Sequence, residues 1–160
     1  MFNGFFMKMR GEYTKPGTSV ALYSVAWDPA ALPWADFRAK VVGATVPSTA
    51  DPASIRGAIF ADWQKLGLPA EPYAGDNGIH ASAGPFEALV ERANWLGADV
   101  AADPFGEALL GLDGVDAARV DAWSVDPRVS IGGEDVSLFD ALEDVDAAAC
   151  LDTCAGLVQQ

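Results

Sequence analysis

Apolar positions along the chain fall into a β-type run and two helical stripes. Ser19-Val20-Ala21-Leu22-Tyr23-Ser24-Val25-Ala26-Trp27 is rich in strand formers and is entered through Lys15-Pro16-Gly17. A short apolar run behind a turn signal predicts a buried strand, with Lys15 a surface charge beside the turn. Asp28-Pro29 and Pro33-Trp34 interrupt the chain, and a short helix is expected near Asp36. Phe86, Leu89, Val90, Ala93 and Leu96 then recur at helical spacing, with Glu87, Glu91 and Arg92 between them. Pro85 suits the first turn of this helix, where a missing N–H costs nothing, and Gly97 suits its stop. Leu138, Leu142, Val145 and Ala149 form a second stripe, opened by Ser137 with an acid three positions on, a variant capping box. The stretches 43–52 and 75–78 are turn-rich, residues 60–76 read as an irregular connection, and Ile79-His80 as a short strand or its end.

Charge divides the chain more sharply than hydropathy does. The net charge of 160 residues is −13, yet residues 1–96 carry nine acids and eight bases. Residues 97–160 carry 14 acids against Arg119 and Arg128 alone. The expected organisation is a body over 1–96 and an acidic, mainly helical extension over 97–160, packed on it through Trp123 and Phe139. Such a surface repels phosphate backbones and anionic lipid, which argues against nucleic acid and membrane surfaces as partners. With 51% hydrophobic residues the chain can bury a core, and no run approaches the roughly 20 apolar residues that span a bilayer. Two cysteines make no disulfide framework, so a soluble intracellular protein is expected, in cytoplasm or organelle matrix. Cys150 and Cys154 sit one helical turn apart and read as packing residues. Asp99, Asp103, Asp113 and Asp116 lack the spacing of a calcium loop and read as a solvated acidic face.

His80 is the sole histidine. Phosphohistidine chemistry, base catalysis and metal ligation all need one imidazole nitrogen presented while a partner holds the other. Glu91, 11 residues on and on the polar side of the helix, can supply that partner. The surrounding residues, Asn77-Gly78-Ile79-His80-Ala81-Ser82, resemble the active-site motif of nucleoside diphosphate kinases. The match continues without a gap through Glu91 to Trp95. Upstream, Gly43-Ala44-Thr45-Val46-Pro47 resembles the family's Gly-x-Thr-x-Pro loop, and Ser54-Ile55-Arg56-Gly57 its Thr-Ile-Arg-Gly. Phe2-Asn3-Gly4-Phe5 is similar to the start of a helical segment of that family.

The resemblance implies an α/β (α+β) fold of the ferredoxin-like type, an antiparallel sheet with helices, incomplete at the N-terminus. It implies an enzyme that moves a γ-phosphate from a nucleoside triphosphate to a nucleoside diphosphate through phospho-His80. Glu91 would orient the other ring nitrogen and Ser82 place a hydroxyl near the transferred group. Arg56 and Thr45 would hold nucleotide phosphates, and Asn77 the sugar and phosphate side. Mg2+ would arrive on the nucleotide phosphates, with no dedicated protein ligand set. A homo-oligomer, or a protein partner covering the absent region, is implied as well. The family's lysine-bearing first strand has no counterpart here, Ala39 stands where it has a further arginine (between Arg38 and Lys40), and Ala83 where an acid follows the motif serine. The alternative is a non-catalytic, kinase-like structural subunit of a larger assembly.

Overall fold

Short polar side chains and prolines decide where helices begin in this chain. The structure, a computed structural model, describes residues 4–159, and the side chains of these other than 4, 5, 6, 9 and 12. Helix α1 spans Gly4–Thr14, and α2, Trp34–Asp36, runs directly into a π-helical stretch, Phe37–Val42. Then follow α3 (Ile55–Asp62), α4 (Pro85–Leu96), α5 (Pro104–Leu110) and α6 (Ala117–Trp123). An antiparallel hairpin, β1 (Arg128–Ile131) and β2 (Glu134–Ser137), precedes α7 (Leu138–Ala141) and α8 (Ala147–Val158). The chain is therefore α+β. In the hairpin Arg128 faces Ser137 and Ile131 faces Glu134. Its connecting residues, Gly132 and Gly133, have φ of 62° and 86°, the positive values that a two-residue turn matched to strand twist requires. Of the segment expected to open a helix, Phe2 and Asn3 lie outside the described residues, and the chain is helical from Gly4.

One compact unit comprises the chain up to Ala26 together with Lys40–Ile79. Its packing centres on Ser54, fully buried, whose hydroxyl accepts from Gly57 N at 3.2 Å to cap α3 and donates to Asp51 O at 2.6 Å. A side chain at Gly43 would place its Cβ 2.3 Å from Ser54 Oγ, and one at Gly57 would meet Asp51 O at 2.0 Å. Both motif glycines thus serve close packing of the 43–52 loop on α3. Gly43 also has φ of 97°, a conformation side chains resist. The expected buried strand at Ser19–Trp27 does not form. The stretch has no regular secondary structure, and Val20 and Tyr23 are 59% and 85% exposed. A strand needs a ladder partner, and among the described residues β1 and β2 pair only with each other. Ile79-His80 likewise joins no ladder.

The second unit comprises Trp27–Ala39 and the chain from His80 onward. Phe86 and Leu89 of α4 share one core with Leu109, Trp123, Leu138 and Leu142. Phe86 meets Trp123 edge-on at 6.3 Å and Phe139 at 5.7 Å. The expected boundary between residues 96 and 97 runs through this core. Cys150 and Cys154 are fully buried in it, as packing residues. Ser137 caps α7, its Oγ accepting from Asp140 N at 3.2 Å. The stripe from Leu138 to Ala149 is nonetheless two helices, because the chain turns between them at Asp144, whose φ is 59°. Asp144 N donates to Ala83 O at 2.9 Å, so a contact distant in sequence sets that turn. The acids of 97–160 do more than face water. Asp99 accepts from Ala101 N at 3.0 Å, Asp103 from Phe105 N at 3.0 Å and Asp116 from Arg119 N at 2.8 Å, each capping a helical start. No described helix is long and apolar enough to cross a membrane.

Candidate functional site

The loop from His80 to Gly84 is pinned at its backbone before it reaches α4. Trp34 Nε1 donates to Ser82 O at 3.0 Å, Asp144 N holds Ala83 O, and Ala83 N donates to the Glu87 carboxylate. Gly84 lies so close to Leu142 O that a Cβ would come within 2.4 Å of it. Pro85 then starts α4, and Gly97, with φ of 65°, ends it as the sequence pattern predicts. Glu87 and Glu91, four residues apart, project from one face of that helix. The pinned loop brings two side chains to Glu91. His80 Nε2 lies 2.8 Å from Oε1, and Ser82 Oγ donates to Oε2 at 2.5 Å. The His80 side chain is 68% exposed and that of Glu91 29%.

The hydrogen bond with His80 is the strongest influence on Glu91. Burial opposes it, the Ser82 bond reinforces it, and the carboxyl is held below its ordinary 4.5. At neutral pH Glu91 is therefore ionised and can only accept. His80 Nε2 must then be the donor, which in the neutral imidazole places the lone pair on Nδ1. A carboxyl lowered on folding stabilises the folded state above its unfolded pKa and loses that effect as pH falls through the folded value. The stability advantage of the native chain over Glu91→Gln is thus expected to be full above pH 4.5 and to shrink on the acid side. Urea unfolding of both proteins at neutral pH and below 4.5 checks this. A gap that widens on acidification would contradict it.

Three other expected site residues lie together in the first unit. Arg56 donates through Nη1 to Gly43 O at 2.7 Å and through Nη2 to Ile79 O at 3.0 Å. Asn77 Nδ2 donates to Thr45 O at 3.1 Å, and Thr45 is exposed. Arg56 here clamps two loop carbonyls. Its replacement by alanine is expected to lower stability by about 2–4 kcal/mol, since each such bond to a charged donor contributes about 1.5–3 kcal/mol. Denaturant titration tests the clamp, and a change within about 0.5 kcal/mol would refute it. Arg38, beside Ala39, is paired with Glu143 at 2.8 Å and Asp144 at 2.6 Å.

Glu87 joins His80 and Glu91 although no sequence motif marks it. One ligand atom each from His80, Glu87 and Glu91 lies within 4.8 Å of the others, and the only signal is the pair of glutamates four apart on the helix following the histidine. Aromatic support that the sequence pattern does not signal comes from Trp27, which stacks on Phe37 at 4.4 Å and packs against Trp34 at 5.0 Å. Comparison of the chain with protein-family models, with curated proteins and with solved structures found no match in any of the three.

Proposed function

We propose that this chain is a nucleoside diphosphate kinase-like phosphotransferase that carries a phosphoryl group on His80. The observation that supports it most is the Ser82–Glu91–His80 chain of hydrogen bonds, with Glu91 ionised and the imidazole exposed. In the first half-reaction His80 Nδ1 attacks the γ-phosphorus, forming an N–P bond while the bond to the β,γ-bridging oxygen breaks and nucleoside diphosphate leaves. Nε2 keeps its proton, and the Glu91 carboxylate stabilises the positive charge that grows on the ring. A second diphosphate then attacks the same phosphorus through a terminal β-oxygen, the N–P bond breaks, and the neutral imidazole returns. Mg2+ arriving on the nucleotide phosphates would neutralise part of their charge. Ser82 fixes the rotamer of Glu91 and sets a hydroxyl beside the reacting ring. Thr45, Asn77 and Arg56, in the first unit, are proposed as nucleotide-binding residues, Arg56 exchanging a loop carbonyl for phosphate oxygens on binding.

The same reading implies the family's ferredoxin-like sheet, and a homo-oligomer or a protein partner. Incubation with γ-phosphate-labelled ATP and magnesium tests the proposal. Acid-labile label on the protein, discharged by GDP, is the expected result, and no label overturns it. A second reading, a kinase-like structural subunit, is favoured by the exposed apolar run at Val20–Val25 and by Arg56 serving as a loop clamp. Under that reading ADP with magnesium leaves the melting temperature unchanged.

A further inference from the structure

We propose that His80, Glu87 and Glu91 form a binding site for a divalent transition-metal ion, with one imidazole nitrogen and two carboxylate oxygens as ligands. The inference stands apart from phosphoryl transfer, which leaves Glu87 without a task. A second carboxylate within 4.8 Å of the imidazole adds negative charge that favours a cation. The ligands come from a helix face and from the loop pinned beside it, so two of the three ride on regular backbone. Each carboxylate has one oxygen already oriented from outside the triad, Glu91 Oε2 by Ser82 Oγ and Glu87 Oε2 by Ala83 N. Ligating carboxylates are characteristically held in this way, with the remaining oxygen turned to the metal.

The geometry needs little adjustment. Tetrahedral coordination with bonds of about 2.0–2.2 Å separates ligand atoms by about 3.3 Å. His80 Nε2 and Glu91 Oε1 stand 2.8 Å apart, and the exposed imidazole has room to move as the Glu87 carboxylate swings inward. Two carboxylates and a neutral imidazole supply a charge of −2 to match the dication. Arg92, the next cation on α4, is paired with Asp103 at 2.5 Å. A mixed nitrogen and oxygen set suits zinc or cobalt, whereas calcium and magnesium prefer oxygen alone and copper(I) prefers sulfur. Three protein ligands leave a coordination position for water. On binding, Nε2 releases its proton to solvent and the metal takes that proton's place opposite Glu91.

Titration of the full chain with Co2+, a spectroscopic stand-in for Zn2+, tests the site without nucleotide, so its outcome is independent of whether His80 accepts phosphate. The expected result is one equivalent bound with the visible bands of nitrogen and oxygen ligation and no intense thiolate charge-transfer band. His80→Ala and Glu87→Gln should each weaken binding by at least about tenfold. Glu87→Gln retains an oxygen for Ala83 N and so keeps the loop in place, and His80 is exposed, so neither variant disturbs the core. Absence of binding overturns the proposal. A thiolate band, which would place the ion at Cys150 and Cys154, overturns it too, as does undiminished affinity in either variant.

Discussion

Turnover of His80→Ala is expected to fall by at least about 10⁴-fold, the scale on which loss of a nucleophile removes the covalent route altogether. His80 is the only histidine, so no neighbouring imidazole can take over. Its side chain is largely exposed and outside the buried cluster, so the variant should fold, losing only the stabilisation that the bond to Glu91 contributes. Exposure also gives the experiment a positive arm. Imidazole added to His80→Ala should enter the vacated space and restore part of the transfer to nucleoside diphosphate. Equal turnover in native and variant chains would remove His80 from the mechanism.

The second large effect belongs to Glu91. Glu91→Gln preserves shape and hydrogen-bonding reach but replaces an obligate acceptor with a group that can also donate. The amide can then stabilise the tautomer with the proton on Nδ1, which has no lone pair there to attack phosphorus. It also removes the negative charge that, in the proposed mechanism, faces the ring as phosphorylation makes it cationic. Loss of an orienting carboxylate of this kind costs about 10²–10⁴-fold in rate. The loss should appear in the rate of phosphohistidine formation measured in a single turnover. A variant phosphorylated at the native rate would reduce Glu91 to a loop anchor. Glu91→Asp, which keeps the charge but shortens the reach, should fall between the two.

The pairing of His80 with Glu91 was legible because everything between them is local. Pro85 and Gly97 bound a helix whose apolar face is plain, and the remaining polar face has only a few residues to offer a loop that ends at its start. The break between α7 and α8 was not legible, since Asp144 adopts positive φ to satisfy Ala83 O, a partner far away in the chain. The run at Ser19–Trp27 has the composition of a strand, but strand propensity is realised only through pairing and packing; no described strand pairs with it, and residues 19–26 are exposed, Trp27 alone being packed. The hairpin at 128–137 could have been read from Gly132-Gly133 between Ile131 and Val136, a turn signal masked by surrounding charge. Charge likewise hid the capping role of Asp103 and Asp116, each directly before a helical start. Asp103 shows the overlap most fully, because one carboxylate caps α5 and pairs with Arg92 of α4.

In the proposed mechanism Glu91 fixes the imidazole so that Nδ1 of His80 receives the phosphoryl group. Nitrogen-resolved NMR of the protein after brief incubation with ATP and magnesium tests it directly, because the two phosphohistidine isomers give different ring signals. The expected result is a single Nδ1-phosphorylated histidine that returns to free histidine when GDP is added. Phosphate on Nε2, or an unmodified ring under the same conditions, would contradict it.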